Sequence, residues 1–292
     1  MTENRIRDLR PADALNLCFL FFLTLVTLLF YGKIAAPLLL IALYSVLIFL
    51  QILLPRIRPH GNFLKLTYDL LFPTVCILLV FDSLEGLVHA INPRDIDPLL
   101  IKLDYLLFNG HPTVMLESVM RPLLTDILQT AYSSYYFLPV TLAVALKMKG
   151  DDKAFDRSLF LIMLCFYLSY LGYMLMPALG PRFTMDHLQN SDLKGLFMAG
   201  PLQELLNRLE GVKRDAFPSG HTAVTLTVVY LSWHFEKRLF TLFLPVALAL
   251  IVSTVYCRYH YVVDVIGGFA LTLITIVLGE KYYGYRTKNT GH

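Results

Sequence analysis

Three short stretches carry side chains whose types and spacing suit chemistry on a phosphate. In His260-Tyr261-Val262-Val263-Asp264 the histidine and aspartate stand at i and i+4, which share one face of a helix. Asp264 can accept a hydrogen bond from one imidazole nitrogen. That fixes the tautomer and leaves the other nitrogen of His260 as a nucleophile. In Phe217-Pro218-Ser219-Gly220-His221-Thr222 a proline is suited to a first helical turn, and glycine lets a ligand come close to the backbone at Gly220. A helix N-terminus offers unpaired N–H groups and the positive end of its dipole, which suits a phosphate. Ser219 adds a hydroxyl donor, and His221 can hold a proton for a departing oxygen. In Pro177-Ala178-Leu179-Gly180-Pro181-Arg182-Phe183 the guanidinium of Arg182 can fork two phosphate oxygens. Each stretch alone has a plainer alternative: a structural His–Asp bridge, an ordinary helix start, and an arginine that only snorkels.

The elements that must position these residues are membrane helices. Hydrophobic residues make up 56% of the 292 and charged ones only 16%, with a mean hydropathy of +0.59. Too few polar residues remain to coat a soluble domain of this size, and several runs are long and apolar enough to cross a bilayer. The sequence predicts an all-α, polytopic transmembrane bundle of about eight spans, near residues 14–31, 34–54, 66–88, 122–146, 158–176, 216–235, 239–257 and 261–280. The run after Arg5, Arg7 and Arg10 is long for a signal peptide and no A-x-A site follows it, so it reads as an uncleaved first span. Residues 1–292 read as a single integral membrane domain, with a catalytic core over about 120–280 and extra N-terminal spans over 14–88. Fifteen of the 25 basic residues fall on one side of this topology, which favours both termini in the cytoplasm.

With that orientation all three stretches border the outer face, at the mouths of the fifth, sixth and eighth spans. An aspartate at such a boundary is costly without a partner, so Asp264 reads as functional. Two long segments also lie outside. Residues 89–121 interleave Ile96, Leu99, Leu100, Leu103, Leu106 and Leu107 with Asp97, Lys102 and Asp104. That spacing suits either an amphipathic interfacial helix or a helix packed across the bundle mouth. The four cysteines, Cys18, Cys76, Cys165 and Cys257, are scattered, and neither a disulfide framework nor a zinc site is indicated. Tyr132, Ser133, Ser134, Tyr135 and Tyr136 suit either a substrate cavity or interhelical hydrogen bonding. Asp82, Glu85 and His89 could line a headgroup pocket or satisfy one another.

Taken in order, the three stretches resemble the type 2 phosphatidic acid phosphatase superfamily, which includes the vanadium haloperoxidases. The resemblance covers about residues 120–280. Within it, Ser253 to Asp264 and Ala131 to Tyr136 look like the branch containing inositol-phosphorylceramide synthases, and the segment around Asp104 to Phe108 is similar there too. The resemblance implies a two-step displacement with neither metal nor other cofactor. His260 would attack phosphorus to give a phosphohistidine, with Asp264 orienting it, and His221 would protonate the departing alcohol. Arg182, Ser219 and Gly220 would hold the equatorial oxygens. The sequence departs from the superfamily pattern twice: Leu175 stands where a lysine is usual, and Thr254 where an arginine is usual. Arg258 is a candidate replacement as a phosphate ligand, with Lys213 and Arg214 as competitors.

The function expected is a membrane phosphatase hydrolysing a phospholipid or isoprenoid phosphate monoester or pyrophosphate. The alternative is a phosphotransferase moving a phospho-headgroup, such as phosphoinositol, between lipids, since water and a lipid alcohol can share one covalent intermediate. A proton-coupled transporter using His221, His260, Asp264 and Asp82, and a metal site of two histidines and a carboxylate, are the rivals from other classes. The expected partners are a lipid phosphate and the bilayer, with no nucleic acid. The expected setting is a bacterial inner membrane with the site on the outer face.

Overall fold

A computed structural model describes residues 9–57, 61–209 and 212–290; Arg5 and Arg7 lie outside the described residues. All regular structure in those residues is helical. Helix α1 (Pro11–Leu29) starts on a proline at its first position, which needs no N–H there. A single 3-10 turn, Tyr31–Lys33, reverses the chain into α2 (Pro37–Ile57), the tight hairpin expected at Gly32-Lys33. Then follow α3 (Asn62–Ser83), which contains a π-turn at Thr67–Leu71, and the shorter α4 (Glu85–Ile91) and α5 (Asp97–Phe108). The remainder comprises α6 (Pro122–Ser133), α7 (Phe137–Met148), α8 (Asp152–Leu175), α9 (Ala199–Leu209), α10 (Gly220–Phe235), α11 (Lys237–Tyr256) and α12 (Val262–Thr290).

Among the described residues six helices are long and apolar enough to cross a membrane: α1, α2, α3, α8, α11 and α12. Eight were expected, and the difference has two local causes. The stretch at 122–146 is broken into α6 and α7 by a 3-10 turn at Ser134–Tyr136. Just before it, the hydroxyls of Thr130, Ser133 and Ser134 bond back to the carbonyls of Asp126, Gln129 and Ala131, an arrangement that bends helices. The stretch at 216–235 becomes helical only at Gly220. The resulting 16 residues reach about 24 Å, against a hydrocarbon core of about 30 Å.

Helix α8 is the axis of the bundle, with α1, α7, α10 and α12 packed around it. Its buried side runs from Phe155 through Leu161 and Cys165 to Tyr173. Helix α2 lies at the periphery beside α1 and leaves Leu38, Leu39 and Phe49 more than 60% exposed, as a lipid-facing helix does. Between α1 and α2 the contact is polar. Asn16 donates to Gln51 (2.6 Å), Gln51 to Asp13 (3.1 Å), and the Tyr167 hydroxyl of α8 to Asn16 (2.5 Å). Such bonds join helices where lipid supplies no hydrophobic drive.

Helix α5 realises both readings of its sequence. It lies across the mouth of the bundle with Asp97, Leu100 and Asp104 buried, while Leu99, Tyr105, Leu106, Leu107 and Phe108 are exposed. Its acids thus face protein and its apolar side faces outward. Asp82, Glu85 and His89 do not satisfy one another: Glu85 accepts from the Lys213 amide (3.2 Å) and His89 meets Asp95 (3.2 Å).

Candidate active site

The site forms where the loop before α10, the loop before α12 and the turn after α8 meet. Ser219 caps α10, its hydroxyl accepting from the Thr222 amide (3.3 Å), and its own amide donates to the Asp264 carbonyl (3.0 Å). The Ser219 hydroxyl keeps its hydrogen for a ligand oxygen. The peptide between Phe217 and Pro218 is cis, and the helix begins after the proline rather than on it. At Gly220 a methyl group would stand 2.2 Å from the Tyr173 hydroxyl. The space left by the missing side chain is therefore filled by Tyr173.

His260 and His221 come together. His260 Nε2 lies 3.4 Å from His221 Nδ1, and both rings are buried. His260 Nδ1 is 2.8 Å from the carbonyl of Ala216, so Nδ1–H donates there and Nε2 carries the lone pair. This changes the expected orienting bond. Asp264 Oδ2 stands 3.5 Å from Nδ1 and instead accepts from the Tyr261 amide at 2.8 Å, leaving Oδ1 buried with no hydrogen-bond partner. The carbonyl sets the tautomer, and the Asp264 carboxyl lies behind it. Burial pulls the His260 imidazole down to about 4, against opposing contributions from Asp215 and the Ala216 carbonyl. The ring is therefore neutral at ordinary pH, and its Nε2 lone pair is not protonated.

His221 is held between aromatic rings. Tyr132 stacks on it at 4.4 Å and 24°, Tyr135 leans against it at 4.2 Å, and Tyr132 also stacks on Tyr259 at 4.0 Å. Its Nε2 is buried without a hydrogen-bond partner. Arg182 reaches the same place. Its amide donates to the Arg258 carbonyl (3.0 Å), its guanidinium lies 4.8 Å above the Tyr259 ring, and its charge acts on both histidines. The chain can enter this turn because Gly180 takes φ +88, and a methyl group there would strike the Tyr259 carbonyl at 2.5 Å.

Arg258 is turned elsewhere. It sits at φ 66, and its guanidinium donates to Glu117 (2.9 Å) and to the Ser191 carbonyl (2.6 Å). Arg214 is engaged with Asp95 (2.9 Å) and Lys213 is exposed. Of the expected phosphate ligands, Arg182, Ser219 and Gly220 stand around the two histidines, whereas Arg258 ties down the loop over them. Among the described residues no group of three or more His, Cys, Asp or Glu is spaced to hold a metal ion.

Sequence reasoning missed the acids that hold these loops. Asp97 accepts from the amides of Leu179 (2.9 Å) and Gly180 (2.9 Å) and from the Tyr261 hydroxyl (2.9 Å). Asp104 accepts from the amides of Val262 (3.0 Å) and Val263 (2.9 Å). It thus caps α12 from a different helix, and burial lifts its carboxyl above the usual range. Asp126 takes the four successive amides from Leu196 to Ala199 at 2.8 to 3.1 Å. The available signal was the seven-residue spacing of Asp97 and Asp104, which puts two carboxylates on one face of a membrane-border helix.

A family model described as PAP2 superfamily matches residues 99–278. A PA-phosphatase related-family protein of Dictyostelium discoideum is 24% identical over 193 residues, which cover 59% of this chain and 35% of that protein. The match therefore spans about a third of its relative's length. No solved structure matches the chain. With well over half of its length matched, the chain belongs to the PAP2 superfamily, a membership that points to a lipid phosphatase or phosphotransferase.

Proposed function

We propose that this membrane protein is a lipid phosphatase that cleaves a phosphate monoester or pyrophosphate through a phosphohistidine on His260. The observation that carries the reading is the pair of buried imidazoles 3.4 Å apart, one with its lone pair freed by the Ala216 carbonyl and the other beside it to handle the proton. His260 Nε2 attacks phosphorus, the bond to the lipid oxygen breaks, and His221 passes to that oxygen a proton it has taken from the incoming phosphate monoanion. Water then loses a proton to His221, attacks the phosphorus–nitrogen bond and releases phosphate, restoring both rings. Arg182, the Ser219 hydroxyl and the amides opening α10 meet the charge on the equatorial oxygens. This scheme needs no metal. Asp264 Oδ2, 3.5 Å from His260 Nδ1, stands where it would meet the charge that the imidazole gains on phosphorylation.

The excess of basic residues on the terminal side of the bundle supports a site on the outer face and termini in the cytoplasm. The phosphotransferase reading replaces water by a lipid alcohol in the second step. It is favoured by an apolar cavity that reaches His221, where a lipid hydroxyl can approach the proton acceptor. The resemblance of the third motif to inositol-phosphorylceramide synthases points the same way. The test is phosphate release from phosphatidic acid by purified protein, run beside lipid-alcohol exchange and alkaline-quench trapping of a labelled phosphoenzyme. Wild type should yield a phosphoenzyme that is acid-labile and absent in His260→Ala. A phosphoenzyme that survives in His260→Ala removes the proposal.

A further inference from the structure

The tyrosines around the bend after α6 lie against the two histidine loops. Tyr132 stands in the last turn of α6 and Tyr135 in the 3-10 turn that follows. Winding at three residues per turn brings side chains three apart over one another, and both rings reach His221, at 4.4 and 4.2 Å. Tyr132 also stacks on Tyr259, the chain neighbour of His260, at 4.0 Å and 14°. The Tyr259 ring carries the Arg182 guanidinium at 4.8 Å. An imidazole, two phenols and a guanidinium thus touch in succession, and they link the proton carrier to the cation that meets phosphate.

The face of an aromatic ring is negative and attracts a cation, most strongly where water is excluded. Tyr132, Tyr135 and Tyr259 are all buried. Arg182 is a cation at all times. His221 becomes one only during the reaction, when it takes a proton from the phosphate monoanion or from water. That charge has to form in a buried ring and in the field of Arg182. The negative faces of Tyr132 and Tyr135 lie where it appears.

One helix sets both tyrosines of the stack. Helix α6 contributes Tyr132 itself, and three residues earlier Gln129 donates to the Tyr259 hydroxyl (3.0 Å). The amides of Tyr259 and His260 both donate to the Thr254 carbonyl (2.9 Å each), so the ring under Arg182 and the imidazole of His260 stand on the same fixed turn.

Resting on the reading of His221 as the proton carrier, we propose that Tyr132 and Tyr259 are positioning residues for the reaction. Their stacked faces stabilise the transient imidazolium of His221 at one end and align the Arg182 guanidinium at the other.

The experiment varies the charge of the Tyr132 face while keeping its shape, in purified protein turning over phosphatidic acid. Tyr132→Phe retains the ring and should keep at least about a fifth of the wild-type kcat. Replacing that phenylalanine by its 4-fluoro, 3,5-difluoro and pentafluoro forms withdraws electrons from the face in steps. The kcat should fall in the same steps, to about thirty-fold below Tyr132→Phe, with KM within about two-fold. Tyr132→Leu should be as slow as the pentafluoro form. With p-nitrophenyl phosphate, whose leaving oxygen needs no proton, the rate of phosphoenzyme formation should stay within about two-fold across the series. A kcat indifferent to fluorine, a parallel fall with p-nitrophenyl phosphate, or Tyr132→Phe as slow as Tyr132→Leu each overturn the proposal. At the other end Tyr259→Leu should raise KM by about five- to thirty-fold. Arg182→Lys, which gives up the planar contact, should cost less in Tyr259→Leu than in wild type; equal costs overturn the role of Tyr259. Turnover that persists in His260→Ala instead sinks the phosphohistidine reading, and the fluorine series read on that turnover still decides the stack.

Discussion

At the end of the bundle away from the motifs, Arg10 donates to Asp13 (3.1 Å), Asp69 (2.9 Å) and Asp156 (3.5 Å), and Lys147 meets Asp69 and Asp152. Tyr68 and Gln51 complete Asp13. At the motif end His221 Nε2 and Asp264 Oδ1 are buried without a hydrogen-bond partner, and two neutral imidazoles face each other. Both ends bury polar groups where lipid would otherwise lie; the far end pairs its acids with cations, although Arg157 Nε and Ser158 Oγ there also lack a partner. Unmet hydrogen-bonding capacity in a buried place is costly. On the proposed reading a phosphate oxygen would meet His221 Nε2, while Asp264 Oδ1, an acceptor like the phosphate itself, would stay unmet.

The sharpest break of that contrast is His260→Ala. Turnover should fall by at least about a thousand-fold, with the melting temperature in detergent hardly changed. A large loss of melting temperature with proportionate activity would make His260 a structural residue. Next in size is His221→Asn, for which kcat should fall about 10²- to 10⁴-fold. The defect should shrink with a leaving group acidic enough to depart unprotonated, such as p-nitrophenol. An equal defect for both leaving groups would remove the proton-donor role.

Arg10→Ala tests the other end. It removes the cation shared by Asp13, Asp69 and Asp156, leaving Asp13 to Tyr68 and Gln51 and Asp69 to Lys147, and should cost up to about 3 kcal/mol of stability while folded protein keeps its kcat. Lost activity in protein that remains folded would show that the two ends are not separate in kind. Acidification sharpens the comparison further. An unfolded chain binds a proton on His260 near 6.5, the folded one only near 4. Stability is therefore present above the unfolded value and is lost as pH falls from about 6.5 to 4, by at most about 3 kcal/mol. The acid limb of kcat/KM should lie near the folded value, and an inflection at 6.5 would mean a solvated imidazole. The smallest effect is expected from Arg258→Ala. Its guanidinium holds Glu117 and Ser191, so thermal stability should drop by about 1–3 kcal/mol with KM nearly unchanged, whereas a ten-fold rise in KM would return it to the phosphate.

The membrane class, the hairpin at Gly32-Lys33 and the His260–Asp264 spacing were legible because each depends on residues close in the chain. The number of spans was not. Hydropathy cannot tell that Thr130, Ser133 and Ser134 bend the chain at Ser134–Tyr136, nor that the helix after Phe217 begins only at Gly220. The face that α5 buries was also hidden. Alternation of leucine with aspartate defines two sides without saying which one meets lipid.

By itself the sequence determined that the protein is a bundle of membrane helices and that a histidine, a carboxylate and a helix start would each be available for phosphate chemistry, because local spacing on a helix fixes which side chains share a face. Only the tertiary structure decided their partners. The Ala216 carbonyl is 44 residues from His260, and Asp97 is 164 residues from Tyr261. Such pairings are chosen by packing and the need to satisfy buried polar groups, which act through space and leave no local pattern in the chain.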